Sequence, residues 1–308
     1  MGERGEKRVL TDMHVAIIGG DARQLEIIRK LSQMDAKLSL VGFDQLDDGF
    51  AGAKKQSMST LDPASVDAII LPVSGMNVKG EVESIFSGEP ITIDAKWLNN
   101  TDKATTIYSG ISTDSLKALL HKSKRPFVEL FSRDDVAIYN SIPTAEGTVM
   151  MVIQHTDTTI HSSEMIVLGF GRVGMTVAKT FKHLGAKVKV AAEQTELLAR
   201  AFEQGFTPIN LNDLEGHAQN TDIIINTIPA QVLKANVISK MPTHSLIVDL
   251  ASKPGGTDFR YAEKRGIKAL LAPGLPGIVA PKTAGRIIAN VLSLLLAEQW
   301  EKMRGGTS

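Results

Sequence analysis

Midway along this chain, Gly169-Phe170-Gly171-Arg172-Val173-Gly174 limits the possible folds more than any other stretch. The apolar run Met165–Leu168 leads into it as a strand, and Met175–Leu184 leaves it as a helix. In that strand–turn–helix setting a G-x-G-x-x-G is a dinucleotide fingerprint, whereas the bare spacing is a common glycine-rich turn. Its first glycine permits the tight turn, its second lets backbone approach a pyrophosphate, and its third lets helix pack on strand. The unpaired N–H groups of the helix start then face the phosphates. A site at residue 169 leaves a domain's worth of chain ahead of it, which requires a second folding unit.

The alternation of elements supplies that unit. His14–Ile18 reads as a strand, Gly19-Gly20-Asp21 as a turn, Ala22–Gln33 as a helix and Lys37–Val41 as the next strand. Ala68–Leu71, Thr106–Tyr108 and Phe127–Glu129 continue the series. After Met165 the pattern repeats through Lys187–Ala191, Phe206–Ile209, Asp222–Asn226, Leu246–Asp249 and Ile267–Leu271. Continuous apolar strands between helical stretches predict an α/β protein with two doubly wound parallel sheets. The expected organisation is a disordered tail over 1–12, a flavodoxin-like substrate domain over 13–142 and a long connecting helix over 143–160. A Rossmann dinucleotide domain over 161–280 and a C-terminal helix over 281–308, packed at the domain junction, complete it. Pro143 is expected at the first turn of the connecting helix, where its missing N–H costs nothing.

Composition narrows the function classes. Lys+Arg and Asp+Glu both number 34, so no basic surplus argues for nucleic acid. Cysteine is absent, which removes disulfides and thiolate chemistry and suits a reducing cytoplasm. The first twelve residues are polar, unlike a signal peptide, and the longest apolar run, Ile287–Ala297, is too short to span a bilayer. No clustered His or Asp-rich loop offers a metal site.

Several residues can carry chemistry. The cofactor set is Gly169, Gly171, Arg172, Val173 and Gly174, with Thr227, Ile228 and Pro229 after the fourth strand and Ser252 after the fifth. Glu193 lies at the end of the strand that follows the fingerprint, where a carboxylate accepts hydrogen bonds from ribose hydroxyls and repels a 2′-phosphate. Local chemistry therefore favours NAD over NADP. For an anionic substrate, Arg23 follows the Gly19-Gly20 turn, Ser74 and Ser109 stand in Ser-Gly turns at strand ends, and Lys253 is the strong cation among the late turns. No catalytic acid or base stands out; His155 and His161 read as helix-surface residues.

Longer stretches carry a more specific signal. Ile18–Gln24, Val41–Gln45, Arg133-Asp134-Asp135, Tyr139–Gly147, Asp249–Phe259 and Ala272–Ala284 together resemble the family of dipicolinate synthase A-subunits, from about Met13 to Trp300. The resemblance implies an NAD(P)-dependent dehydrogenase that works with a flavoprotein-like B-subunit in the mother-cell cytoplasm of a sporulating bacterium. The implied reaction converts 4-hydroxy-tetrahydrodipicolinate, a lysine-pathway branch compound, through loss of water to dipicolinate. Such a dicarboxylate needs about two anion sites in a cleft. The resemblance also implies an Arg where this chain has Glu193, so it points to NADP and leaves the choice of cofactor open. A D-2-hydroxyacid dehydrogenase shares the order of domains but requires an Arg after the fifth strand and a His after the sixth, where Lys253 and Pro276-Gly277 stand. A non-catalytic NAD(P)H sensor is the reading from outside enzymology, and a homo-oligomer stays open.

Overall fold

A computed structural model describes residues 9–47, 49–50 and 52–305, and its chain divides into two compact units. One holds the residues up to Val136 together with those from Pro281 onward; the other is Ala137–Ala280. The disordered tail expected over 1–12 falls outside the described residues for 1–8. At its end, Leu10 is fully buried in the first core and its N–H donates to the Met34 carbonyl at 2.7 Å. The ordered first unit thus starts before residue 13.

In the first unit, β1 (His14–Ile18) leads through α1 (Ala22–Gln33) to β2 (Lys37–Val41), β3 (Ala53–Gln56) and β4 (Ala68–Ile70). A small antiparallel pair follows, β5 (Glu81–Val82) and β6 (Ile91–Thr92). Then come α2 (Ala95–Asn99), β7 (Thr106–Ser109), α3 (Asp114–Ser123) and β8 (Phe127–Glu129). The main sheet runs β3-β2-β1-β4-β7-β8 and is parallel throughout. Counting its strands in chain order gives 3-2-1-4-5-6, the dinucleotide-fold order, and not the 2-1-3-4-5 of a flavodoxin. The flavodoxin-like expectation is corrected by β3: its lysine-rich Ala-Lys-Lys-Gln is half-buried and carries no apolar run to reveal it.

The connecting helix also differs from expectation. α4 spans Asp134–His155, so it starts nine residues before Pro143 and stops before Ile160. Asp134 and Asp135 place two carboxylates in its first turn, where the helix dipole favours negative charge, and Asp135 accepts the Val136 N–H at 2.8 Å. That acidic start prevails over the proline signal. Pro143 then sits inside the helix, where its missing N–H leaves the carbonyl four residues back, that of Tyr139, without its helical donor. Tyr139 is more than half exposed.

The second unit repeats the architecture. β9 (Glu164–Leu168), α5 (Arg172–His183), β10 (Lys187–Ala192), α6 (Thr195–Glu203) and β11 (Thr207–Asn210) form its first half. The other half contains α7 (Leu214–His217), β12 (Ile223–Asn226), α8 (Ala235–Ile238), β13 (Leu246–Asp249), α9 (Phe259–Lys264), β14 (Lys268–Leu271) and α10 (Leu275–Val279). Sheet order is β11-β10-β9-β12-β13-β14, again 3-2-1-4-5-6 and parallel. The central strands are buried on both faces, which is why they read as unbroken apolar runs.

The final helix, α11 (Pro281–Gly305), returns to the first unit and packs along α1. Ile288, Leu292 and Leu296 are buried there, each side chain contributing roughly 1.5–3 kcal/mol through removal from water. Gly285 allows the close approach: a Cβ on it would fall 2.5 Å from the Arg23 carbonyl oxygen. Among the described residues no helix is long and apolar enough to cross a membrane.

Candidate dinucleotide site

The turn from β9 into α5 assigns a different physical task to each of its three glycines. Gly169 has φ +87°, and a Cβ there would lie 2.5 Å from Thr227 Oγ1. Gly174 is buried, and its Cβ would meet the Gly169 carbonyl oxygen at 2.1 Å. Packing within the protein therefore demands both. Gly171 is exposed, no atom lies within 4 Å of where its Cβ would be, and no side chain caps α5 at this position. A side chain here would project into open space at the positive end of a helix, so packing within the protein does not require this glycine.

This turn opens on a cavity of about 380 Å³. Its walls are all six fingerprint residues, Ala192-Glu193-Gln194 at the end of β10, and Thr227–Ala230 after β12, with Leu197, Leu211 and Val232 adding apolar surface. That volume and its mixed lining are typical of a cofactor pocket. Glu193 is exposed on one wall. The structure thus brings together Gly169, Gly171, Arg172, Val173, Gly174, Glu193, Thr227, Ile228 and Pro229 around one cavity. Ser252 is not part of its lining; it is exposed in the loop after β13.

Behind the cavity lies a buried polar cluster. The Asp249 carboxylate, fully buried at the end of β13, accepts from Asn226 Nδ2 at 3.0 Å and the Ala251 N–H at 3.1 Å. It also accepts from the Gly256 N–H at 2.8 Å and Thr257 Oγ1 at 2.6 Å. Asn226 in turn donates to the Ile228 carbonyl and accepts the Ile228 N–H at 3.0 Å. One carboxylate thereby fixes two loops, 226–229 and 251–257, the first of them a cavity wall. The signal was present in the sequence: a polar residue closing an apolar strand, twice over.

Two family models match the chain, the N-terminal domain of the dipicolinate synthase A-subunit over residues 14–131 and the C-terminal domain of alanine dehydrogenase/PNT over 136–303. The dipicolinate synthase A-subunit of Bacillus subtilis is 56% identical over 290 residues, covering 94% of this chain and 98% of the relative. The chain belongs to the dipicolinate synthase A-subunit family. A crystal structure of the Bacillus halodurans member is 60% identical, with a TM-score of 0.92 over 94% of this chain and 99% of the other. A transhydrogenase from Sinorhizobium meliloti, 15% identical, shares the fold alone, with a TM-score of 0.68 over 94% of this chain and 95% of its own. The second unit is thus a dehydrogenase-type α/β domain, and the family's designation as an A-subunit implies a second, partner subunit.

Within this family member the residues expected to hold substrate fall into two groups. Ser74 and Lys253 are exposed, at the strand ends after β4 and β13. Arg23 is engaged: its guanidinium bonds the Asp21 carboxylate through Nε at 2.9 Å and Nη2 at 2.6 Å. Burial opposes ionisation of Asp21, yet the hydrogen bonds and charge of Arg23 hold its carboxyl below the usual range. Ser109 is fully buried, with Oγ 3.0 Å from the Pro72 carbonyl and 3.1 Å from that of Ile111. A Cβ on neighbouring Gly110 would fall 2.6 Å from Val73 Cα. The Ser109-Gly110 turn is therefore stitched to the one at Ser74, and its hydroxyl serves the fold where ligand contact was expected. The two histidines near α4 lie away from the cavity lining; His161 packs its ring on Gly185. Among the described residues no group of three or more His, Cys, Asp or Glu could hold a metal.

Proposed function

We propose that this chain is the dehydrogenase component of a dipicolinate synthase and that NAD(P)+ binds at the Gly169–Gly174 turn. The observation that carries the reading is the open approach at Gly171, between two glycines required by packing and beside a cavity that includes Glu193. The α5 N-terminus would face the pyrophosphate, and Glu193 would accept from the ribose hydroxyls, which favours NAD. Bound there, the cofactor supplies an acceptor for one hydride. The Asp249–Asn226 cluster holds the loop Thr227–Pro229 in place against it, so the pocket is preorganised.

The substrate is 4-hydroxy-tetrahydrodipicolinate. Its 4-hydroxyl leaves as water with a ring proton, and the resulting dihydropyridine loses one hydride to the nicotinamide and one proton to solvent. The balance is one water, one NAD(P)H and one proton for each dipicolinate formed, and aromatisation of the ring drives it. On the second unit, Lys253 is the exposed cation that would bind a substrate carboxylate. Ser252 would contact the cofactor from the loop after β13. The partner would be the flavoprotein-like B-subunit, and the setting the mother-cell cytoplasm during sporulation.

The deciding experiment follows NAD(P)H absorbance with freshly generated substrate, with and without the B-subunit, while dipicolinate is measured chromatographically. Equal amounts of reduced cofactor and dipicolinate are expected. Cofactor binding without turnover under either condition would replace this reading with that of a dinucleotide sensor.

A further inference from the structure

The first unit has the dinucleotide strand order but has closed its own phosphate position. Where β1 turns into α1, the chain following β5 lies across the glycines. The Gly20 N–H donates to the Glu83 carbonyl at 2.7 Å, and the Ile85 N–H donates back to the Gly20 carbonyl at 2.9 Å. A Cβ on Gly19 would fall 2.6 Å from that same Glu83 oxygen. The segment is fastened further along: Ser84 Oγ donates to the Gly42 carbonyl at 2.5 Å, and Phe86 stacks on Phe43 with centroids 5.5 Å apart. In a fold of this order the pyrophosphate sits at the first turn and the nucleoside lies beyond the end of the second strand. Here the first place is filled by protein. The second is not.

Beyond the ends of β2 and β3 lies a cavity of about 880 Å³, distinct from the fingerprint cavity and contained in the first unit. Leu40, Val41 and Ile91, all buried, give it an apolar wall. Its polar side includes Ser57, Ser59 and Thr60; the Ser57 hydroxyl lies 2.8 Å from that of Ser59 and 3.1 Å from that of Thr60, so each can donate or accept. Gln56 also lines it. A buried chain from His14 through Ser39 ends on Gln56 Oε1 at 2.6 Å, while Gln56 Nε2 has only a 3.5 Å contact with the Thr60 carbonyl. Charge selects further: Asp44 and Glu89 line the cavity against one ammonium, Lys55, which is bonded to the Leu46 carbonyl. Two carboxylates there repel an anion.

We propose that this cavity binds an uncharged, hydroxylated ring compound of the nucleoside class in preference to its phosphates. The apolar wall would take the ring, the hydroxyl cluster and Gln56 amide would take the sugar, and the Glu83–Phe86 segment would leave no room for a phosphate at the glycine turn. The site is independent of the dinucleotide site in the second unit and stands whether or not that site turns over substrate.

Equilibrium dialysis of the full chain with labelled adenosine and AMP tests this. Saturable adenosine binding is expected, with AMP bound about tenfold more weakly because of the two carboxylates. Thr60→Trp and Ser87→Trp, each placing bulk at the cavity lining, should each weaken adenosine binding about tenfold and leave NADH titration unchanged. Asp44→Asn with Glu89→Gln should raise AMP affinity towards that of adenosine, an effect that a loss of folding would not produce. Absence of saturable adenosine binding, AMP binding as tight as adenosine, or adenosine displaced by NADH and indifferent to both Trp variants would each overturn the proposal.

Discussion

In the proposed reading, Glu193 is the residue on which cofactor choice turns. It is exposed on the wall of the fingerprint cavity, at the end of the strand after the glycines, where a carboxylate favours a free 2′-hydroxyl and a guanidinium favours a 2′-phosphate. Glu193→Arg is expected to shift the ratio of NADP to NAD affinity upward by about tenfold or more, equivalent to about 1.4 kcal/mol. Fluorescence titration with both reduced cofactors checks it, and unchanged affinities would remove Glu193 from the ribose position. Asp249 is the residue on which the site's rigidity turns. Truncation by Asp249→Ala would leave the buried donors of Asn226, Gly256 and Thr257 without their acceptor. Each orphaned donor costs about 1–3 kcal/mol, so the second unit should lose about 3 kcal/mol or more in urea unfolding. Asp249→Asn, which keeps one acceptor oxygen, should lose less.

Among the elements, the pairing of α1 with α11 has a specific acid sensitivity. Glu26 is buried on α1 and accepts from Arg29 on its own helix and from Arg286 Nε of α11 at 3.0 Å. Burial opposes its ionisation, but the two guanidinium groups outweigh that and hold the carboxyl below its ordinary value of 4.5. A carboxyl depressed in the folded state stabilises fully above its unfolded value, and the contribution is lost as pH falls through the folded one. The urea midpoint of the first unit should therefore drop as pH is lowered below about 4.5, and Glu26→Gln should flatten that dependence. His14 adds in the same direction: burial lowers its pKa, so the neutral ring is favoured in the fold and stability falls as acid charges it below about 6.5. An acid profile identical in Glu26→Gln and the parent would assign the sensitivity to other groups.

Across the whole molecule, the buried elements were the ones the sequence made plain. His14–Ile18, Ala22–Gln33, Lys37–Val41 and Leu246–Asp249 stand where apolar pattern and turn chemistry put them. Strands buried on both faces must be apolar without interruption, and the positive φ of Gly169 with the close approach of Gly174 to the Gly169 carbonyl is set within one turn, so both kinds of information are local. Two parallel-sheet domains and a glycine-rich strand–turn–helix at residue 169 follow from that local information alone. What is not local could not be read. The half-buried strand Ala53–Gln56 has no apolar signature, yet it turns the first sheet from an expected flavodoxin-like order into a second dinucleotide-type order. Ser109 looked like a ligand donor because Ser-Gly ends a strand, and only the packing of Gly110 against Val73 shows its hydroxyl bound to two carbonyls. The Gly19-Gly20 turn beside Arg23 likewise reads as a place for an anion, and the structure shows the Gly20 N–H bonded to the Glu83 carbonyl. A glycine-rich turn encodes a backbone shape; whether a ligand or the chain itself fills that shape depends on residues far along the sequence, brought there by the tertiary fold.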